Sequence, residues 1–214
     1  MDATGREEVE QRTRQCLDRG DHEGAATALI RGYGREIFSF LAAVHRSEDE
    51  ASEVFSLFTE GVWRGLPKFR VEGTFRTWAY GIARKASLRV RRDKHRRQAR
   101  FGALPEGSTL SAIAEEVRTQ TLWYLRTEPR SRFAAIRDSL PPEDRELLVL
   151  RVDRKLPWNE LAQMLRDEGE EPLEGEALKR EAARLRKRFQ LLSEKLHELG
   201  RREGLLPSDK NGGS

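Results

Sequence analysis

From Leu29 onward the apolar side chains return every three or four residues, a spacing that commits most of this chain to helices. Leu29, Tyr33, Ile37, Phe40, Leu41 and Val44 form one such stripe. Ser47 followed by Glu50 reads as a capping box, opening a second helix with Ala51, Val54, Phe55, Phe58 and Val62 on its apolar face. Gly65, Pro67 and Gly73 then interrupt the chain before a third helix, expected to bury Phe75, Trp78, Ile82 and Ala86. Three helices patterned this way can enclose one core. No stretch alternates with period two, so the fold class is read as all-α.

A second helical block follows a gap in the pattern. Gly102, Pro105 and Gly107 mark a linker, in which residues 108–126 read as an isolated helix. Beyond it, Phe133, Ile136 and Leu140 suit a short helix ended by Pro141 and Pro142. Leu147, Leu148 and Leu150 belong to another, and Pro157 fits the first turn of a third that carries Trp158, Leu161 and Leu165. The last helix is the most regular: Leu178, Ala182, Leu185, Phe189, Leu192, Leu196 and Leu199. The expected organisation is two small helical domains joined by a flexible, partly helical linker. Their bounds are an extension over 1–24, a first domain over 25–97, a linker over 98–130, a second domain over 131–204 and a disordered tail over 205–214.

Charge is concentrated in one place. Residues 84–100 hold nine Lys or Arg against Asp93 alone, a local +8 in a chain whose net charge is +4. Everything else therefore sums to −4. Pairs four residues apart cannot neutralise such a run, and the self-repulsion it carries is relieved by a polyanion. Upstream lie Phe75, Trp78 and Tyr80. Tyr80 sits about 200° around the helix from Trp78, so the three rings cannot share one buried stripe and at least one is expected to be partly exposed. Basic residues beside exposed rings are suited to nucleic acid, where they grip phosphates and stack on bases.

The same residues argue against several other classes. His22, His45, His95 and His197 lie in four separate segments without metal-ligand spacing, and Cys16 is the single cysteine. There is no glycine-rich phosphate loop and no nucleophile elbow, so no catalytic residue, metal or cofactor is expected. No apolar run approaches the ~20 residues needed to cross a bilayer. The polar N-terminus lacks an export signal, and the chain is expected to act in the cytoplasm, on the nucleoid.

Near the C-terminus, a helix around Trp158, a turn over 166–175, and a helix rich in Lys179, Arg180, Arg184, Arg186, Lys187 and Arg188 outline a helix-turn-helix. The apolar stripe leaves Glu176, Lys179 and Arg180 at the exposed N-terminal end, the end that enters a major groove. The turn has ten residues where such motifs have three or four. A helical hairpin or coiled-coil arm would show the same stripe.

Both constellations in this order resemble the sigma factors of bacterial RNA polymerase, specifically the small extracytoplasmic-function group. The string EVFSLFTEGVWRGLPKFRVEGTFRTWAYGIARKASLRVRR is similar to that family's second region. Phe69, Arg70, Phe75, Arg76, Thr77, Trp78, Ile82, Ala83 and Arg84 match its F-R-x-x-x-x-F-R-T-W and I-A-R pattern. The segment LPPEDRELLVLRVDRKLPWNELAQML, followed by LKREAARLRKRF, is similar to the fourth region. Ser56 stands where the family often has glutamine and Lys85 where asparagine is common. The acidic turn is about six residues longer than usual.

The resemblance implies core RNA polymerase and promoter DNA as partners, with no membrane. It implies that Glu53, Ser56, Glu60 and Arg64 meet the polymerase. Phe69, Arg70 and Thr74 would read the minus-10 element, with Phe75 and Trp78 either scaffolding that loop or stacking on bases. Arg76, Arg84, Lys85, Arg89, Arg91 and Arg92 would hold phosphates. In the upstream, minus-35 element, Lys179 and Arg180 would contact base edges or nearby phosphates, with Glu176 at the same DNA-binding helix end, while Arg184, Arg186 and Lys187 hold the backbone. Members of the group are commonly restrained by an anti-sigma protein. The rival reading is a stand-alone helix-turn-helix regulator, in which residues 25–97 serve as an effector or dimerisation module.

Overall fold

The computed structural model describes residues 3–69, 73–93, 108–127, 132–166 and 172–205, all of them helical or connecting segments. Arg70, the basic tail beyond Asp93, the glycine- and proline-marked part of the linker and the middle of the acidic turn lie outside the described residues. So do the side chains of Asp93, Arg126, Thr127 and residues 132–135. Contacts divide the chain into two compact units, Met1–Thr127 and Glu128–Ser214.

In the first unit α2 (His22–His45) is the central element, packed by α1 (Ala3–Asp18), α3 (Glu48–Gly65), α4 (Phe75–Asp93) and α5 (Thr109–Thr127). That placement explains why burial on α2 exceeds the six-residue stripe in the sequence. Ala26, Ile30 and Phe38 are fully buried too, because helices cover α2 on several sides. Asp21 caps its start by accepting from Gly24 N–H at 2.8 Å. Ser47 caps α3, accepting from Glu50 N–H at 3.3 Å as the capping box requires. Phe38, Phe55 and Phe58 stack and edge into one another, with centroids 5.2 and 5.5 Å apart. Such pairs add about 0.5–1.5 kcal/mol each beyond burial.

Three features differ from the expectation. Helix α1, assigned to an extension, and helix α5, read as isolated, both pack on α2 within the first unit. Close approach is what admits them: a Cβ on Gly32 would meet Val9 of α1 at 2.4 Å, and one on Gly34 would meet Val117 of α5 at 2.9 Å. On α4 the buried face runs through Phe75, Ala79, Tyr80, Ala83, Ala86 and Val90. Trp78 and Ile82 lie half-buried instead, against Gly65 and Gly61 of α3. Trp78 is thus the partly exposed ring of the three, and Tyr80 is core.

The second unit contains α6 (Arg132–Ser139), α7 (Pro142–Leu148), a π turn over Val149–Asp153, α8 (Trp158–Met164) and α9 (Gly175–Arg202). Ile136, Leu140, Leu147, Val149, Leu150, Leu156, Leu161, Ala182, Leu185 and Leu192 are buried. Arg145 is only 3% exposed, with its guanidinium donating to Leu140 C=O at 2.9 Å. A buried arginine needs such an acceptor, because an unsatisfied one costs more than the bond contributes. Arg188 of α9 reaches Asp144 at 2.7 Å and Glu143 at 3.3 Å, pinning α9 to the start of α7.

Candidate nucleic-acid interface

The start of α4 is held by three acceptors. Thr74 takes Thr77 N–H on its hydroxyl at 3.1 Å. Glu10, from α1, takes Phe75 N–H at 2.8 Å and Arg76 N–H at 2.9 Å. These are the donors a helix leaves without intrahelical partners. Gly73, just before, has φ 156°, and a Cβ there would meet nothing within 4 Å, so backbone geometry and not space favours glycine. Phe69 closes the turn from its other side, its ring 4.5 Å from Phe75 and 5.1 Å from Trp78. Phe75 is fully buried and scaffolds the turn; Phe69 and Trp78 are half-buried.

Along α4 the cations divide by face. Lys85, Arg89 and Arg92 are exposed and recur at steps of four and three, one outward stripe opposite the buried Ala79–Ala83–Ala86–Val90 side. Arg84 and Arg91 flank it, half-buried. Arg76, expected among the phosphate ligands, does not share that outward face. It is 8% exposed and ion-paired with Glu36 of α2, its Nε donating at 2.8 Å. Tyr80 donates to the same carboxylate at 2.7 Å. The reason is position: Arg76 falls on the α2-facing side of α4, where only a paired charge is tolerated.

On α3 the residues expected to meet the polymerase share an outer face. Glu53 and Ser56 are exposed, Glu60 is half-buried, and Arg64 pairs with Glu60 at 2.7 Å. Trp63, 36% exposed, lies beside them.

In the second unit α8 packs on α9, with Trp158 edge-on to Phe189 at 5.6 Å and Arg151 over the Trp158 ring at 4.7 Å. The long turn is tied at its ends: Gln163 accepts from Leu173 N–H at 3.1 Å and donates back to Leu173 C=O. Glu176, Lys179, Arg180, Arg184, Arg186 and Lys187 are all exposed on α9. Arg186 lies 6.0 Å from the Trp158 ring centroid, and two of the other cations are ion-paired locally. Lys179 bonds Glu176 at 2.8 Å, and Arg184 bonds Glu181 at 2.7 Å, which raises the Arg184 pKa further.

Sequence reasoning missed Glu10, Glu36 and a buried chain in which His45 Nε2 meets Ser87 Oγ at 2.7 Å and Nδ1 meets Glu50 at 3.3 Å. The order serine–histidine–carboxylate is that of an acyl-transfer triad. Ser87, however, is 2% exposed inside α4, so no substrate reaches it; the chain ties α2, α3 and α4 together. Nothing in the sequence marked Glu10, Glu36 or Ser87, and the Glu10 contacts span up to 66 residues. Among the described residues no group of three or more His, Cys, Asp or Glu could hold a metal. Nor is any helix among them long and apolar enough to cross a membrane.

Residues 29–97 match the family model of sigma-70 region 2. This segment is similar to a sigma-70 region 2. It comprises most of α2, all of α3 and α4, and the turn between them. Region 2 is the part of a sigma factor of the sigma-70 family that binds core RNA polymerase and melts the minus-10 element. That family consists of non-enzymatic transcription initiation factors. No curated protein and no solved structure matches the chain significantly.

Proposed function

We propose that this protein is a promoter-specificity subunit of the extracytoplasmic-function type, binding core RNA polymerase and directing initiation at its own promoters. The region 2 match carries this reading, supported by a second helical unit whose last helix exposes a basic N-terminal half. The outer face of α3, with Glu53, Ser56, Glu60 and Arg64, meets the polymerase. Phe69, Arg70 and Thr74 read the minus-10 element. Extruding a base costs a few kcal/mol, which stacking and a cationic floor offset. Lys85, Arg89 and Arg92 provide that floor, and Arg84 and Arg91 border it; they give affinity and not sequence choice. Helix α9 reads the upstream element through Lys179 and Arg180, with Arg184, Arg186 and Lys187 along the backbone. The protein works on the nucleoid; the group it resembles is commonly restrained by an anti-sigma protein.

Transcription with purified core polymerase is the test. Adding the protein should convert non-specific synthesis into discrete transcripts from its own promoters. Failure to bind core while binding DNA specifically through residues 131–204 would establish the stand-alone regulator instead.

A further inference from the structure

We propose that Glu10 is a positioning residue for promoter opening: from α1, outside the matched region 2 segment, it holds the first turn of α4 in the shape that opening needs. The inference rests on the sigma-factor reading above.

Both oxygens of the Glu10 carboxylate are committed. Oε2 accepts from Phe75 N–H at 2.8 Å; Oε1 accepts from Arg76 N–H at 2.9 Å and from the Tyr33 hydroxyl at 2.7 Å. Tyr33 is 1% exposed, so its hydroxyl fixes the carboxylate from the core side. Arg14, one turn further along α1, lies 5.4 Å from the Phe75 ring centroid. Helix α1 therefore grips the start of α4 by its backbone and by its first side chain. Phe75 in turn packs on Phe69 across the turn. Backbone strain or slack at Phe75 would thus be felt directly by the ring expected to face the separated strand.

An anion at this point has a second consequence. The N-terminus of a helix attracts phosphate through its free N–H groups and dipole. Here the protein's own carboxylate fills that position, so a DNA phosphate cannot dock at the end of α4. Backbone grip is left to Lys85, Arg89 and Arg92 further along, and the strand is directed along the helix instead of onto its tip.

The experiment uses the full chain assembled with core polymerase, comparing wild type, Glu10→Ala and Glu10→Gln. Glutamine keeps the shape and one good acceptor but loses the charge. Loss of a helix cap of this kind is expected to slow opening of a duplex promoter about tenfold in Glu10→Ala, with Glu10→Gln intermediate. A template already unpaired across the minus-10 element should restore normal initiation by both variants, and core affinity should stay within about twofold of wild type. Opening at the wild-type rate in Glu10→Ala overturns the assignment. So does a fall in core affinity parallel to the fall in opening, which would make Glu10 merely a stabiliser of the fold. If the wild-type protein itself neither binds core nor opens promoters, the sigma-factor reading fails and this inference falls with it; an active wild type with an unaffected Glu10→Ala sinks the inference alone.

Discussion

Arg76 offers the sharpest separation between a charge that serves DNA and one that serves the fold. The resemblance to sigma factors groups it with the phosphate-gripping arginines, whereas its guanidinium is paired with Glu36 and its side chain is 9% exposed, that of Glu36 13%. Replacing Arg76 by Met would leave the Glu36 carboxylate nearly dry, with the Tyr80 hydroxyl still donating to it. Stranding one member of a buried pair costs about 3–5 kcal/mol, a large part of the ~5–15 kcal/mol that holds a domain together. A surface arginine would cost under about 0.5 kcal/mol and would instead lower the salt dependence of DNA binding by about 0.9 in the log–log slope. Urea unfolding followed by circular dichroism measures the first quantity, and salt titration of DNA binding by the polymerase-bound protein measures the second. Arg76→Met should be strongly destabilised with an unchanged slope, and adding Glu36→Gln should restore most of the loss. By contrast, Lys85→Ala, Arg89→Ala and Arg92→Ala should each reduce the slope at unchanged stability. An Arg76→Met protein as stable as wild type with a shallower slope would refute the burial argument.

Other outcomes follow from the same geometry. Gly61→Ala places a methyl 2.6 Å from Ile82 Cγ2, on a β-branched side chain stiff at χ1. The crowding, about 1–3 kcal/mol, should outweigh the ~1 kcal/mol that Ala gains over Gly in a helix, and a more stable variant would show that α3 and α4 can part freely. Burial and the Glu10 hydrogen bond push the Tyr33 pKa well above the ordinary phenol value of about 10. The fold therefore favours the neutral phenol: that stability is fully present below about pH 10 and is lost as pH rises beyond it. Unfolding midpoints measured on either side of pH ~10 should show the loss in wild type, and a smaller one in Tyr33→Phe. Arg180→Ala should weaken initiation at promoters that depend on their upstream element while core binding stays intact; unchanged promoter preference would remove Arg180 from the reading surface.

Much of the helical framework could be read directly. The α2 stripe, the Ser47 cap and the α9 repeat are local signals, and each appears where its spacing places it. What escaped was non-local. Helix α5 shows a modest apolar pattern that says nothing of its partner, yet Leu110 and Ile113 are buried and Val117 faces Gly34. Arg76 looked exposed because most arginines are, and the carboxylate that permits its burial lies 40 residues earlier. Glu10 sits in a polar helix whose value to the fold is one carboxylate aimed at backbone donors 65 and 66 residues away. The cationic stripe on α4 was visible as composition, but which arginines face outward depended on where α2 packs.

Strand opening tests the central claim most directly. With purified core polymerase and promoter DNA taken from transcripts that rise on overexpression, unpaired thymines can be mapped by permanganate. A sigma factor of this kind should produce permanganate-reactive thymines across the minus-10 element only when both protein and core are present, and Lys85→Ala with Arg89→Ala should weaken them. Sequence-specific binding to that DNA without core, and no reactive thymines with it, would contradict the account.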